Sequence, residues 1–184
     1  MAVETPAGEI GTVAPDLSLP DIDGKAWTLN TLRGDRGLVL AFICNHCPYV
    51  KAVIDRFVAD AKALQDTGIG VAAVMPNDWT TYPDDSPENM AEFAARHGFT
   101  FPYLIDESQA VARAYGAVCT PDIFGFDREL RLKYRGRIDS AGKGAADTGT
   151  RREMLEAMRQ IAETGEAPAH QTPSMGCSIK WRGV

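Results

Sequence analysis

A mixed α/β architecture, with a central sheet covered by helices on both faces, is predicted by three features of the chain. Leu38 to Ile43 is a continuous apolar run of the kind found in strands buried on both sides. The period then changes: Val50, Val53, Ile54, Phe57, Val58, Ala61 and Leu64 form a helical stripe that ends before Gly68. A second apolar run, Val71 to Met75, returns the chain to the sheet, which predicts a right-handed parallel crossover.

The other elements follow in order. Ala14 to Pro20 and Lys25 to Leu29 flank Asp21-Ile22-Asp23-Gly24 and read as an N-terminal β-hairpin. After a polar loop from Pro76 to Pro87, Ser86 caps a helix with Pro87 at its first position and Met90, Phe93 and Ala94 inward. Phe101 to Ile105 is a third strand, and Ser108 caps a short helix, Gln109 to Tyr115, stopped by Gly116. Ile123 to Phe126 and Leu130 to Tyr134 read as an antiparallel hairpin around Asp127-Arg128-Glu129. Thr150-Arg151-Arg152-Glu153 has capping-box spacing and opens a closing helix with Met154, Leu155, Met158, Ile161 and Ala162 inward. Residues 166–184 show no period. One domain over 1–184 is expected, with 166–184 as an irregular tail.

Composition narrows the function. With 184 residues, 45% hydrophobic and 24% charged, the chain matches a folded globular protein rather than a disordered one. Nineteen Lys and Arg against 25 Asp and Glu give a net charge of −6, without the basic excess that phosphate neutralisation requires, so nucleic acid is excluded as a partner. No apolar run approaches the ~20 residues of a membrane span. Met1 to Gly11 has neither basic residues nor an apolar core of signal-peptide type, so a cytoplasmic location without membrane contact is expected. Four cysteines, at 44, 47, 119 and 177, are too few for a disulfide scaffold.

Cys44-Asn45-His46-Cys47-Pro48 carries the chemistry. Placed between a buried strand and an amphipathic helix, Cys44 is expected at a helix N-terminus, where free N–H groups and the dipole favour the thiolate. Two intervening residues let Cys47 attack a mixed disulfide formed at Cys44. Pro48 suits a first helical turn, which has no intrahelical partner for the N–H it lacks. His46 adds a cationic or hydrogen-bonding neighbour, or else is a solvated residue of the turn. The same pair is half of a zinc site, but its partners would be the isolated Cys119 and Cys177 rather than a second close pair. Cys119 on its own reads as a buried small hydrophobe, and Cys177 as a free or packed thiol. Asn77, with Asp78 and Trp79, follows the second strand, where open α/β sheets collect ligands.

A close cysteine pair at a strand-to-helix junction, a later Thr120-Pro121 leading into a hairpin, and a closing helix resemble the thioredoxin fold. The N-terminal hairpin, with Gly11 to Lys25, and the extra strand-helix unit before Pro121 resemble the AhpC/TSA (redoxin) branch. The strings Phe42-Ile43-Cys44-Asn45-His46-Cys47-Pro48-Tyr49-Val50, Tyr82-Pro83-Asp84-Asp85-Ser86-Pro87, Phe101-Pro102-Tyr103-Leu104 and Gly176-Cys177-Ser178-Ile179-Lys180-Trp181 are similar to a bacterial subgroup of it. The resemblance implies Cys44 as attacking thiol, Cys47 as resolving thiol, and Pro121 as a cis-proline whose preceding residue, Thr120, faces the disulfide and docks substrate, with Cys119 close by. Ile43 and Leu38 stand where thioredoxins carry a Trp and a buried acid. Counting back by peroxiredoxin spacing from Cys47 gives Cys44 and Leu40, and from Cys44 gives Ala41 and Gly37, in place of the Thr and Pro that orient peroxide. The Cys47-Pro48 step does echo that site.

The expected activity is therefore thiol-disulfide exchange on protein or small-thiol substrates, with no organic cofactor and no metal. An external reductant of thioredoxin-reductase or glutathione type, and a monomer or weak dimer, complete the expectation. A thiol peroxidase and a thiolate metal chaperone are the alternatives.

Overall fold

The computed structural model describes residues 1–183; Val184, the last residue of the expected tail, lies outside them. In chain order the strands are β1 (Ala2–Glu4), β2 (Ser18–Pro20), β3 (Ala26–Thr28), β4 (Gly37–Phe42), β5 (Ile69–Met75), β6 (Tyr103–Ile105), β7 (Cys119–Thr120), β8 (Asp122–Phe126), β9 (Leu132–Arg135) and β10 (Met175–Ser178). The helices are α1 (Leu29–Leu32), α2 (Pro48–Gln65), α3 (Pro87–His97), α4 (Ala110–Tyr115) and α5 (Glu153–Thr164).

The central sheet runs β6-β5-β4-β8-β9. β4 pairs in parallel with β5 and β5 with β6, whereas β8 is antiparallel to both β4 and β9. Every residue of β4 is buried, and its side chains alternate between two cores. Val39 and Ala41 point with Ile43 into the core built by α2 and α5. Leu38, Leu40 and Phe42 point into the other, with Leu19 of the N-terminal hairpin, Leu29 and Leu32 of α1, and Val111, Ala112 and Tyr115 of α4. This is the mixed α/β arrangement that the strand and helix periods predict, and the thioredoxin-like one that the resemblance implied.

The predicted stripe of α2 is buried at Val50, Val53, Ile54, Phe57, Ala61 and Leu64. Ser86 caps α3 as expected, its hydroxyl accepting from Asn89 N. Two caps differ from expectation. Ser108 Oγ accepts the first amide of α4, from Ala110 N at 3.2 Å, but Asp106 receives the next two, from Val111 and Ala112, while Gln109 takes a left-handed conformation at the N-cap. Thr150 does not cap α5: its hydroxyl closes a local turn with Asp147, and the helix starts at Glu153 after an Arg152 N-cap.

The C-terminal tail is not irregular throughout. Met175–Ser178 is a strand between β1 and β7, with Cys177 opposite Thr120 on one side and Ala2 on the other. Ser174 Oγ donates to Pro121 O at 2.8 Å and Ile179 N to Val118 O at 3.2 Å, so β10 is tied down at both ends. Such a strand has no local signature, because each ladder joins segments far apart in sequence.

Gly176 makes that closeness possible. A Cβ there would fall 2.2 Å from the Thr120 carbonyl oxygen and 2.5 Å from its carbon, too near for any side chain. Gly176→Ala is therefore expected to lower stability by about 1–3 kcal/mol, the usual range for forced overpacking, as read from urea unfolding. An unchanged midpoint would contradict the tight seating of β10 on β7.

Candidate active site

β4 ends at Phe42, and Ile43 N still bonds Val74 O at 3.0 Å, so the next residues leave the sheet at its carboxyl edge. Cys44 to Cys47 cross to α2, whose first residue is Pro48. Cys47, not Cys44, is the N-cap, with extended backbone and its carbonyl accepting from Lys51 N at 3.0 Å. This corrects the expectation for Cys44: the start of the helix, with the positive end of its dipole, belongs to the second cysteine, because Pro48 delays the helix until after it.

Both thiols converge on Thr120. Cys44 Sγ lies 3.2 Å from Thr120 Oγ1, and Cys47 Sγ, as a thiol, donates to Thr120 O at 3.1 Å. The Thr120–Pro121 bond is cis, as the resemblance implied. The sulfurs of Cys44, Cys47 and Cys177 are close enough to set one another's ionisation. All four cysteines are free.

These contacts separate the thiols. Donation from the Cys44 thiol is the largest influence on Cys47; with the Cys177 and Val50 donors it overcomes burial and brings Cys47 down to about 4. Cys44 is held well above the ordinary thiol range by its bond to Cys47, then by burial and the negative charge of Asp85. Burial, followed by the bond to Cys47, pushes Cys177 up to about 11. Cys119 is buried beside the pair with its Sγ 3.6 Å from Pro121 O, and burial raises it as well, in keeping with an inert thiol.

The largest feature absent from the sequence reading is Asp85. Its fully buried carboxylate accepts from Asn45 N at 2.8 Å, His46 N at 3.4 Å and Asn77 Nδ2 at 2.9 Å, and lies 2.7 Å from His46 Nδ1. Burial pushes Asp85 upward, but His46 and Asn77 more than offset it, leaving the carboxyl below its ordinary value. The same contact raises His46, whose ring stacks on Tyr82. Asn45 is fixed by Tyr103 OH, which donates to Oδ1 at 2.9 Å, and by its own donation to Asp84 O at 3.0 Å. The loop between Cys44 and Cys47 is thus clamped from the Tyr82–Pro87 segment. That string was legible as a motif, but nothing in it distinguished Asp85 from Asp84.

Asn77 joins this network and ties in the tail. Its Oδ1 accepts from Lys180 N at 2.9 Å, while Asp78 N donates to Lys180 O at 2.9 Å. Gln109 Nε2 also donates to Lys180 O, at 2.8 Å, and Arg182 Nε sits 3.2 Å from Asp78 Oδ1. Under this cover Cys44 and Cys47 are each 0% exposed, and Cys177 alone of the cysteines is partly exposed. A cleft of about 300 Å³, lined in part by Tyr49, Pro121, Ile138 and Met175, runs beside the covered pair.

Among the described residues Cys44, His46 and Asp85 bring ligand atoms within 4.8 Å of one another, a set that suits a soft or borderline metal. Asp85 is already engaged by two amides, an Asn side chain and His46, and this makes it the charge partner of the loop.

A family model described as AhpC/TSA matches residues 10–135. Thiol-disulfide oxidoreductase ResA of Geobacillus thermodenitrificans is 30% identical over 71% of this chain and 70% of its own. Peroxiredoxin Bcp of Escherichia coli is 28% identical over 72% and 80%. Among solved structures, an uncharacterized conserved protein of Geobacillus kaustophilus superposes with a TM-score of 0.94 at 41% identity, covering 100% of this chain and 98% of that one. The thioredoxin domain of a thiol-disulfide oxidoreductase of Bacteroides vulgatus shares the fold, at TM-score 0.58 and 19% identity over 70% and 89%.

Two spectroscopic outcomes follow from this electrostatic layout. The thiolate ultraviolet band of the reduced protein is expected to persist down to about pH 4. In Cys44→Ala, which deletes the main donor, it is expected to vanish at higher pH, toward the ordinary ~8.5; an unshifted band would show that Cys44 does not stabilise the anion. In Asp85→Asn the His46 pKa is expected to fall back toward ~6.5 by NMR titration, and a value that does not move would break the pairing.

Proposed function

From the premise that the chain belongs to the AhpC/TSA family, we propose that it is a thiol-disulfide oxidoreductase whose Cys44 and Cys47 cycle between dithiol and disulfide. The observation that carries this is the convergence of the two sulfurs on Thr120 at the head of α2, one on its hydroxyl and the other on its carbonyl. Cys47, with the lowered pKa, is the nucleophile, and Cys44 the resolving thiol. This reverses the order the resemblance implied, and its support is the N-cap position of Cys47.

In the reducing direction the Cys47 thiolate attacks one sulfur of a substrate disulfide. A Cys47–substrate bond forms, the substrate bond breaks, and the departing sulfur takes the electron pair. Consumption of the Cys47 charge removes what held the Cys44 proton. Cys44 then passes that proton to the leaving sulfur and attacks Cys47 Sγ, releasing the reduced substrate and forming the Cys44–Cys47 disulfide. An external thiol reductant restores the dithiol. His46, made more cationic by Asp85, adds positive charge beside Cys47; Asn45, Pro48 and Asn77 position the loop and Thr120–Pro121 orients the sulfurs. The cleft beside Pro121 and Met175 is the place for the substrate chain.

One observation favours a second reading. Cys47 is closed to bulk solvent and directly followed by Pro48, a setting that admits a small oxidant more easily than a protein disulfide. A peroxide oxygen transferred to the Cys47 thiolate gives a sulfenic acid and an alcohol or water. Cys44 then condenses with the sulfenic acid to the same disulfide, releasing water.

Dithiothreitol-driven insulin reduction, run beside peroxide consumption, separates the two. Insulin reduction by the wild type is expected, with Cys47→Ser lowering it by about two orders of magnitude or more, since the lost thiolate is the attacking group. Cys44→Ser is expected to retain single-turnover attack while losing the Cys44–Cys47 disulfide. If Cys47→Ser kept its rate while Cys44→Ser lost it, the two roles would be exchanged; peroxide consumption without insulin reduction would establish the peroxidase.

A further inference from the structure

Cys177 is a third sulfur in the cluster, and the exchange described above makes no use of it. It sits in β10 directly opposite Thr120, the residue whose carbonyl and hydroxyl meet the other two thiols. Cys47 Sγ rests on the carbonyl of that same Thr120, 3.1 Å away, so the two sulfurs flank one residue, and Cys177 is among the groups that act on the ionisation of Cys47. Cys177 packs against the core that contains Cys44 and Cys47, yet it is the one partly exposed thiol of the three. Gly176 beside it lets β10 approach Thr120 closely enough for this contact. The buried pair therefore has one sulfur within reach that also faces solvent.

We propose that Cys177 is the port through which the buried dithiol exchanges with external thiols, by way of an intramolecular Cys47–Cys177 disulfide. The proposal rests on the Cys44–Cys47 cycle above. Starting from the oxidised pair, Cys177 gives its proton to solvent and attacks Cys47 Sγ. The Cys47–Cys177 bond forms, the Cys44–Cys47 bond breaks, and Cys44 leaves with the electron pair and takes up a proton. One disulfide replaces another, with no net oxidation or reduction. An external thiolate then attacks the Cys177 sulfur and Cys47 departs as the thiolate. A second external thiol attacks the external sulfur of that mixed disulfide, releasing the external disulfide and Cys177 as thiol. Two external thiols are oxidised and one protein disulfide is reduced. The relay lets the pair be re-reduced without uncovering, since the reaction with the external thiols takes place at the edge of β10 rather than beneath it.

The test uses the full chain, diamide as oxidant, dithiothreitol as reductant, and iodoacetamide trapping with peptide mapping by mass spectrometry. Diamide-treated Cys44→Ser is expected to give a Cys47–Cys177 linked peptide as the main product, absent from the Cys44→Ser/Cys177→Ser double variant. In Cys177→Ser, and equally in Cys177→Ala, the Cys44–Cys47 disulfide is expected to form but to be reduced by dithiothreitol roughly ten-fold or more slowly than in wild type. Full alkylation of Cys177 in oxidised Cys44→Ser, or a wild-type reduction rate in both Cys177 variants, would overturn the relay while leaving the oxidoreductase standing. Failure of the wild type to form a Cys44–Cys47 link, with no insulin reduction, would overturn the underlying cycle and the relay with it.

Discussion

Thr120 meets three cysteines, two through their sulfurs and one through its backbone. Its hydroxyl lies against Cys44, its carbonyl against Cys47, and its backbone pairs with Cys177 across the β7–β10 ladder. The position is fixed because β8, which follows the cis bond to Pro121, is antiparallel to β4, the strand that delivers Cys44. Leu38 and Phe126 are partners at one end of that ladder and Phe42 and Asp122 at the other, so the turn before β8 comes to rest beside the loop after β4. Moving either strand by one residue would carry its side chains to the opposite core and the thiols out of register.

A second constraint is electrostatic. Asp85, Asp122 and Asp106 are all fully buried, and each is answered differently: Asp85 by His46, Asn77 and backbone amides, Asp122 by a bidentate Arg135, and Asp106 by the free amides of α4. A buried carboxylate is tolerated only with such partners. At Asp85 the partners are parts of the redox loop, so the charge that needs satisfying also shapes the peptide between the cysteines. It also places an anion near Cys44, which adds to the interaction with Cys47 and to burial in holding that thiol protonated.

The legible part of this was what depends on neighbours in the chain. The apolar run at Leu38–Ile43, the stripe of α2, the Ser86 cap and the stop at Gly116, which has φ 63, follow from local period and backbone freedom, and they suffice to place the cysteine pair at a strand-to-helix junction. What was not legible depends on residues brought together from afar. Cys47 rather than Cys44 is the cap because Pro48 sets the start of α2, a shift of less than one turn that periodicity does not resolve. Asp85 reaches His46 over 39 positions, and Cys177 reaches Thr120 over 57; neither contact leaves a pattern in the local sequence. The tail carries no strand period because the four residues Met175–Ser178 become a strand only when β1 and β7 are there to pair with them.

The cover over the dithiol is assembled from the two extremes of the chain, Ala2–Glu4 and Met175–Ser178. A ribosome releases Ala2–Glu4 before the central sheet and Met175–Ser178 only after every element of that sheet has emerged. Cys44 and Cys47 therefore leave the ribosome well before Met175–Ser178, the strand that later lies against Thr120 beside them.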